Sequence, residues 1–389
     1  MTTTTTFPNV GANQGTNPLK GLLAYGQSPW MDYIRRDLLT SGGLQKMIHE
    51  DGLRGMTSNP TIFEKAITGS DFYKDILESP DAKKLGAGGV YEKIAIRDVQ
   101  DATDIFKPVY AETKRRDGYV SLEVSPLLAN DTQATIDEAR RLWKSVNREN
   151  VMIKVPATKE GIPAIRQLLE DGLNINITLL FAQSAYEQVA EAFLAALEAR
   201  AKKGQDVSHI ASVASFFVSR IDSLVDAQIE TKLKTTTDAN LRALLTSLEG
   251  KVAIANAKLT YRKYQELFGG ARWKALAAKG AQTQRLLWAS TSTKNPKYRD
   301  VMYVEELIGA DTVDTIPPAT FDAFRDHGKL RASLTENVEE AAKTMANLEK
   351  AGLSMKQVTE KLVVDGVKLF ADAFTQLLEA TGKTAGVHA

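Results

Sequence analysis

In VMIKVP (151–156) a lysine stands inside an apolar run that otherwise reads as a buried strand. Lysine is among the side chains least often fully buried without a partner. Lys154 therefore either reaches out at a strand end or serves a reaction that needs an amine. A second run, VSLEVS (120–125), carries Glu123, and a third, NINITLL (174–180), carries Asn174, Asn176 and Thr178. Burial disfavours an ammonium ion. An uncharged amine adds to a carbonyl and forms a Schiff base, an electron sink for breaking a carbon–carbon bond. That chemistry also needs proton transfer, which carboxyls such as Asp32 and Glu123 supply, while asparagines and hydroxyls suit a polyol. A plain ion pair between Lys154 and Glu123 is compatible with catalysis, so it leaves the choice open.

The faces of the strands gather these residues. Successive side chains on a strand point to opposite sides. Asn174, Asn176 and Thr178 therefore share one face, opposite Ile175, Ile177 and Leu179. Glu123 lies with Ser121 and Ser125, opposite Val120, Leu122 and Val124; Lys154 lies with Met152, opposite Ile153 and Val155. If the apolar sets meet helices, then Glu123, Lys154, Asn176 and Thr178 converge on the inside. The same parity adds Asp32 with Trp30 in SPWMD (28–32), Asn59 with Thr57, and Ser215 with Phe217. All lie toward the C-terminal ends of their strands.

The elements that must position them alternate along the chain. Strands are expected near 28–34, 53–58, 119–124, 151–155, 174–180, 210–218, 285–290 and 312–316. Amphipathic stretches such as 89–116, 131–148, 159–170 and 183–203 fall between them. Alternating βα units imply a parallel sheet, and eight of them favour an α/β fold of the (β/α)8 TIM-barrel type, whose reactive residues sit at the C-terminal strand ends. No G-x-G-x-x-G or G-x-x-x-x-G-K-[ST] follows a strand, which lowers the dinucleotide and P-loop readings. Additional helices are expected from about 225 to 280, with 238–268 reading as one stretch, and from about 335 to 381, where two helices meet around Ala351-Gly352. Residues 1–18 read as a disordered polar tail and 19–389 as one barrel domain.

Composition narrows the chemistry further. Among 389 residues, 43% are hydrophobic and 25% charged, as in a water-soluble globular protein, and the formal charge is +1. Nothing calls for nucleic acid or an anionic membrane, and no apolar run reaches the roughly 20 residues that span a bilayer. The first residues lack the basic-then-apolar order of a signal peptide, so a cytoplasmic location is expected. Without cysteine, thiolate nucleophiles and disulfides are excluded. His49, His209, His327 and His388 are scattered singly, so no metal and no cofactor is expected. Monomer and homodimer both stay open.

The runs TSNPTIFEKAI, DGYVSLEVSP, NVMIKVPAT, NINITLLFA, ASFFVSRID and WASTSTKNPKY, in that order, resemble the transaldolase family, in its longer bacterial form, over roughly residues 20–385. The resemblance implies transfer of a dihydroxyacetone unit from sedoheptulose 7-phosphate or fructose 6-phosphate to an aldose phosphate, in the non-oxidative pentose phosphate pathway. It implies Lys154 as the Schiff-base lysine, Asp32 as the acid/base of carbon–carbon cleavage, and Glu123 acting with a water held by Thr178. Asn59 and Asn176 would hold hydroxyls of the fragment, Ser215 and Phe217 would line the pocket, and Arg220 would grip the phosphate.

Two departures stand out. Shorter members of the family read S-P-F-V-G-R where this chain has SFFVSR, so Phe216 and Ser219 replace proline and glycine. Where an arginine usually makes a second phosphate contact, this chain offers Lys294, which is equally readable as a solvent-facing lysine before a helix opening at Asn295-Pro296. The nearest rival is an aldolase that releases the fragment instead of passing it on. Aldolase-type members of the superfamily tend to carry tyrosine at the position of Phe217, so phenylalanine favours transfer. A binding or scaffold barrel would be expected to lack the lysine or a carboxylate, and an isomerase would have no use for a Schiff-base lysine.

Overall fold

The computed structural model describes residues 17–386. Eight strands, β1 (Gln27–Asp32), β2 (Gly55–Thr57), β3 (Tyr119–Glu123), β4 (Val151–Pro156), β5 (Ile175–Leu180), β6 (Ser212–Phe217), β7 (Arg285–Ala289) and β8 (Thr312–Ile316), pair in parallel in sequence order and close on themselves. Parallel neighbours need crossovers, and helices such as Ala82–Glu112, Thr132–Val146, Gly161–Asp171 and Gln183–Lys202 supply them. The expected strands all fall within a few residues of these bounds. Val120, Leu122, Ile153, Val155, Ile175 and Ile177 are buried and belong to the continuous apolar core. The polar residues that alternate with them are left for the lumen.

Strand alternation holds up to Thr178 and then breaks. Leu179 takes φ 61°, and the β5–β6 register shifts between Ile177 and Leu180. Such bulges re-aim side chains next to active sites. Leu179 is thereby turned toward Gly366 of the last helix.

Three expectations need correction. Residues 1–16 of the anticipated tail lie outside the described residues, but 17 and 18 do not belong to a tail. Asn17 caps the helix Pro18–Gly21, accepting from the Leu19 amide, and its own amide donates to Asp51 at 2.6 Å. The stretch 238–268 is two helices, Ala239–Leu248 and Val252–Gly269, because Gly250 takes φ +67° between them; a third, Ala271–Ala277, follows. Asn295-Pro296 opens no helix. The Asn295 side chain accepts from the Lys297 amide and closes a local turn, and the next helix is Met302–Glu306.

The final helices are Val338–Lys350 and Met355–Ala385. They part at Gly352, which takes φ +70°, and the second is capped by Ser354. At the opposite end of the barrel, Arg285 donates to Asp117 at 2.8 Å and to Ser28 at 2.8 Å, while Ser28 donates to Asp117 at 2.8 Å. No helix among the described residues is long and apolar enough to cross a membrane.

Candidate active site

Register places the central row. Lys154 pairs with Glu123 on one side and with Asn176 on the other, and one step further along Thr178 pairs with Pro156. Asp32 pairs with Thr57 across β1 and β2. Beyond β6, Arg220 falls in the first turn of the helix Ser219–Thr235, so the positive end of that helix adds to its charge.

A cavity of about 560 Å³ opens at this C-terminal end of the strands, and Asp32, Asn59, Lys154, Thr178, Ser215, Phe217, Arg220 and Lys294 all line it. Glu123 and Asn176 do not line it. Asn176 is fully buried one layer below, where its Nδ2 donates to Ser121 at 2.9 Å and its Oδ1 accepts from Ser215 at 2.6 Å. Glu123 lies behind the lysine, with Oε2 3.5 Å from Lys154 Nζ.

Lys154 is 5% exposed and donates to the Ser58 carbonyl at 3.2 Å. The buried oxygens Glu123 Oε2 and Thr178 Oγ1 accept no hydrogen bond among the described residues. An amine with a carboxylate oxygen at 3.5 Å can pass a proton to it while it adds to a carbonyl. Asp32 is held differently. Thr57 donates to its Oδ1 at 2.6 Å, and the Thr57 and Thr315 hydroxyls meet at 2.7 Å. Thr57 has one proton to give and gives it to Asp32, so Thr315 must donate to Thr57. Asn59 spends its Oδ1 on the Ile62 amide, capping the helix Pro60–Thr68 at 3.0 Å, which leaves its NH2 for the cavity.

The electrostatics follow from burial. Desolvation raises the Asp32 carboxyl above its ordinary range, opposed by Lys154, the Thr57 hydroxyl, Arg220 and Lys294. Desolvation raises Glu123 as well, opposed by Lys154 and assisted by Asp32. At the far end of the cavity, burial and the Arg220 charge lower Lys294, and burial lowers Arg220. Lys294 donates to Ser292 at 2.7 Å, and neither cation has a carboxylate within salt-bridge distance among the described residues. Two unpaired cations at a cavity end suit a dianion such as a phosphate.

Sequence reasoning missed several lining residues. Thr57, grouped by parity with Asn59 but given no role, and Thr315 stand beside the β1 face, Thr57 pairing with Asp32 and Thr315 with Trp30. Lys65, on the helix Pro60–Thr68, and Phe370, on the last helix, also line the cavity, but no strand carries them and parity gives no signal for either.

Fold and site define a barrel enzyme for a small hydroxylated anion, with an amine and two carboxyls at its centre. The family model described as Transaldolase/Fructose-6-phosphate aldolase matches residues 29–381. The chain is 49% identical to a transaldolase of Trichodesmium erythraeum over 94% of this chain and 97% of that one. It is 46% identical to transaldolase 2 of a Nostoc species over 94% and 96%, and 43% identical to a transaldolase of Thiobacillus denitrificans over 94% and 100%. The chain belongs to the transaldolase/fructose-6-phosphate aldolase family.

Proposed function

We propose that this chain is a transaldolase working through a Schiff base on Lys154. The Lys154 amine adds to the ketone carbon of a ketose phosphate, sedoheptulose 7-phosphate or fructose 6-phosphate. Glu123, 3.5 Å away, and the free Thr178 hydroxyl move the protons by which the carbinolamine loses water. Asp32 then takes the proton of the hydroxyl two carbons from the imine carbon, and the adjacent carbon–carbon bond breaks. An aldose phosphate leaves, and the imine accepts the electron pair as an enamine. A second aldose phosphate, glyceraldehyde 3-phosphate or erythrose 4-phosphate, is attacked by that enamine. Asp32 returns its proton to the new hydroxyl, and water frees the product ketose.

The remaining residues bind. Arg220 and Lys294 face the phosphate, the Asn59 amide faces a fragment hydroxyl, and Ser215 and Phe217 shape the wall. Asn176 acts from below by fixing Ser215 and Ser121. The expected setting is the non-oxidative pentose phosphate pathway in the cytoplasm. Residues 17–386 form one catalytic unit in this reading.

The observation that carries the proposal is a buried lysine lining a cavity, with one carboxyl beside it and a second across the lumen. Borohydride reduction in the presence of fructose 6-phosphate, followed by peptide mass spectrometry, tests it. A three-carbon adduct on the Lys154 peptide is expected. An adduct on another lysine overturns the site, and none at all overturns the mechanism.

A further inference from the structure

One aromatic ring of the last helix reaches both ends of the cavity. Phe370 is 6% exposed; its ring centre lies 5.8 Å from Lys154 Nζ and 5.7 Å from Arg220 Cζ. Phe217 lies 5.2 Å from the same guanidinium carbon. Two rings thus hold a cation that no carboxylate pairs with among the described residues. The helix comes this close because residue 366 is glycine. A Cβ there would stand 2.9 Å from Leu179 Cδ2 and 3.9 Å from Arg220 Nη1. Leu179 is the residue that the β5 bulge holds at positive φ, so the seat for the helix is built on a strained position.

We infer that Phe370 is a positioning and specificity-determining residue that keeps water from the three-carbon fragment on Lys154 and holds Arg220 toward the phosphate. It thereby directs the fragment to an aldose instead of to release. The inference rests on the reading of Lys154 as the Schiff-base residue. Release competes with transfer in the interval after the first aldose phosphate has left. The enamine carbon takes a proton and its electron pair becomes a C–H bond, restoring the iminium. Water then adds to the iminium carbon, the C–N bond breaks, and dihydroxyacetone departs as the amine is regained. Transfer uses the same electron pair to form a carbon–carbon bond to the acceptor. Both branches end with water hydrolysing an iminium at the lysine, but only release needs a proton delivered to the enamine carbon. An apolar ring 5.8 Å from Nζ keeps the water that would deliver it away during that interval.

The test compares Phe370→Leu with Phe370→Tyr, which keeps the ring. Dihydroxyacetone release from fructose 6-phosphate alone is set against sedoheptulose 7-phosphate formation once erythrose 4-phosphate is added. The release-to-transfer ratio should rise about tenfold in Phe370→Leu, equivalent to ~1.4 kcal/mol in relative barrier, and stay near wild type in Phe370→Tyr. If both rates fall together and the ratio holds, the ring only packs and the proposal fails. Borohydride trapping on the wild type separates the two readings. An adduct at Lys154 with an unchanged ratio overturns the Phe370 role alone, whereas no adduct there overturns both.

Discussion

Asp32 and Glu123 are both raised by burial, but only Asp32 is wired to a hydroxyl chain, and that difference suits them to different steps. In the proposed mechanism Asp32 must be ionised to accept a hydroxyl proton. The Thr57 hydrogen bond favours that ionised form, so its loss raises the Asp32 carboxyl further. In Thr57→Val, the acid limb of the kcat/KM profile should therefore move to higher pH, with the alkaline side little changed, as pH–rate profiles of the two proteins would reveal. A limb that stays put would mean that Asp32 is not the group titrating. Lys154→Ala removes the amine from a site where Glu123 can take up a proton in compensation. Turnover should fall by roughly a thousandfold or more, while circular dichroism and the thermal midpoint stay close to wild type. A variant that keeps its turnover would refute the mechanism.

At the scale of elements, strand parity made much of the candidate site legible. Residues on β3, β4, β5 and β6 were grouped by alternation alone, because a strand has a period of two and an apolar half that must meet helices. Parity could not tell depth within the lumen, which is why Asn176 looked equivalent to Thr178 although it lies a layer below the cavity. It was also silent about helices. Phe370 and Lys65 come to the mouth by tertiary packing, and an amphipathic pattern does not record which residue overhangs a neighbour. Asn295 shows the same limit locally, since an asparagine that could cap a helix closes a turn instead.

The packing of the last helix gives a direct test at this scale. Gly366→Val puts a Cβ 2.9 Å from Leu179 Cδ2, so Leu179 or the helix must give way at the mouth. KM for fructose 6-phosphate should rise several-fold in steady-state assays, by about 1 kcal/mol of lost binding. The strand β8 offers a second. Asp314 is fully buried, accepts from Thr291 at 2.9 Å, and is raised by burial to about 8. Between the ordinary carboxylate range and pH 8, the folded chain keeps a proton that the unfolded chain gives up. Stability therefore falls as pH rises through that window. Asp314→Asn should leave the thermal midpoint nearly unchanged at pH 4 and raise it by about 2 °C at pH 8, as scanning calorimetry at the two values would show.

Across the whole molecule, the two ends of the barrel divide the labour. The C-terminal end holds the cavity, and the N-terminal end holds the Arg285–Asp117–Ser28 network that ties β7 and β1 to the turn before β3. Removing one partner of a buried ion pair strands the other. Arg285→Ala should accordingly cost about 3 kcal/mol in denaturant unfolding and leave kcat/KM at 25 °C near wild type. A large loss of kcat/KM in a folded Arg285→Ala protein would show that the ends are not independent. The hydroxyl pair of Thr57 and Thr315 joins residues 258 positions apart. During synthesis, a ribosome that has released seven strands has already delivered Lys154 and Glu123, yet the proton relay behind Asp32 still lacks its final member. In the proposed mechanism, catalytic competence thus waits for residues that emerge after the seventh strand, Thr315 on β8 and Phe370 on the last helix, and a refolding chain should regain its helical signal before it regains turnover.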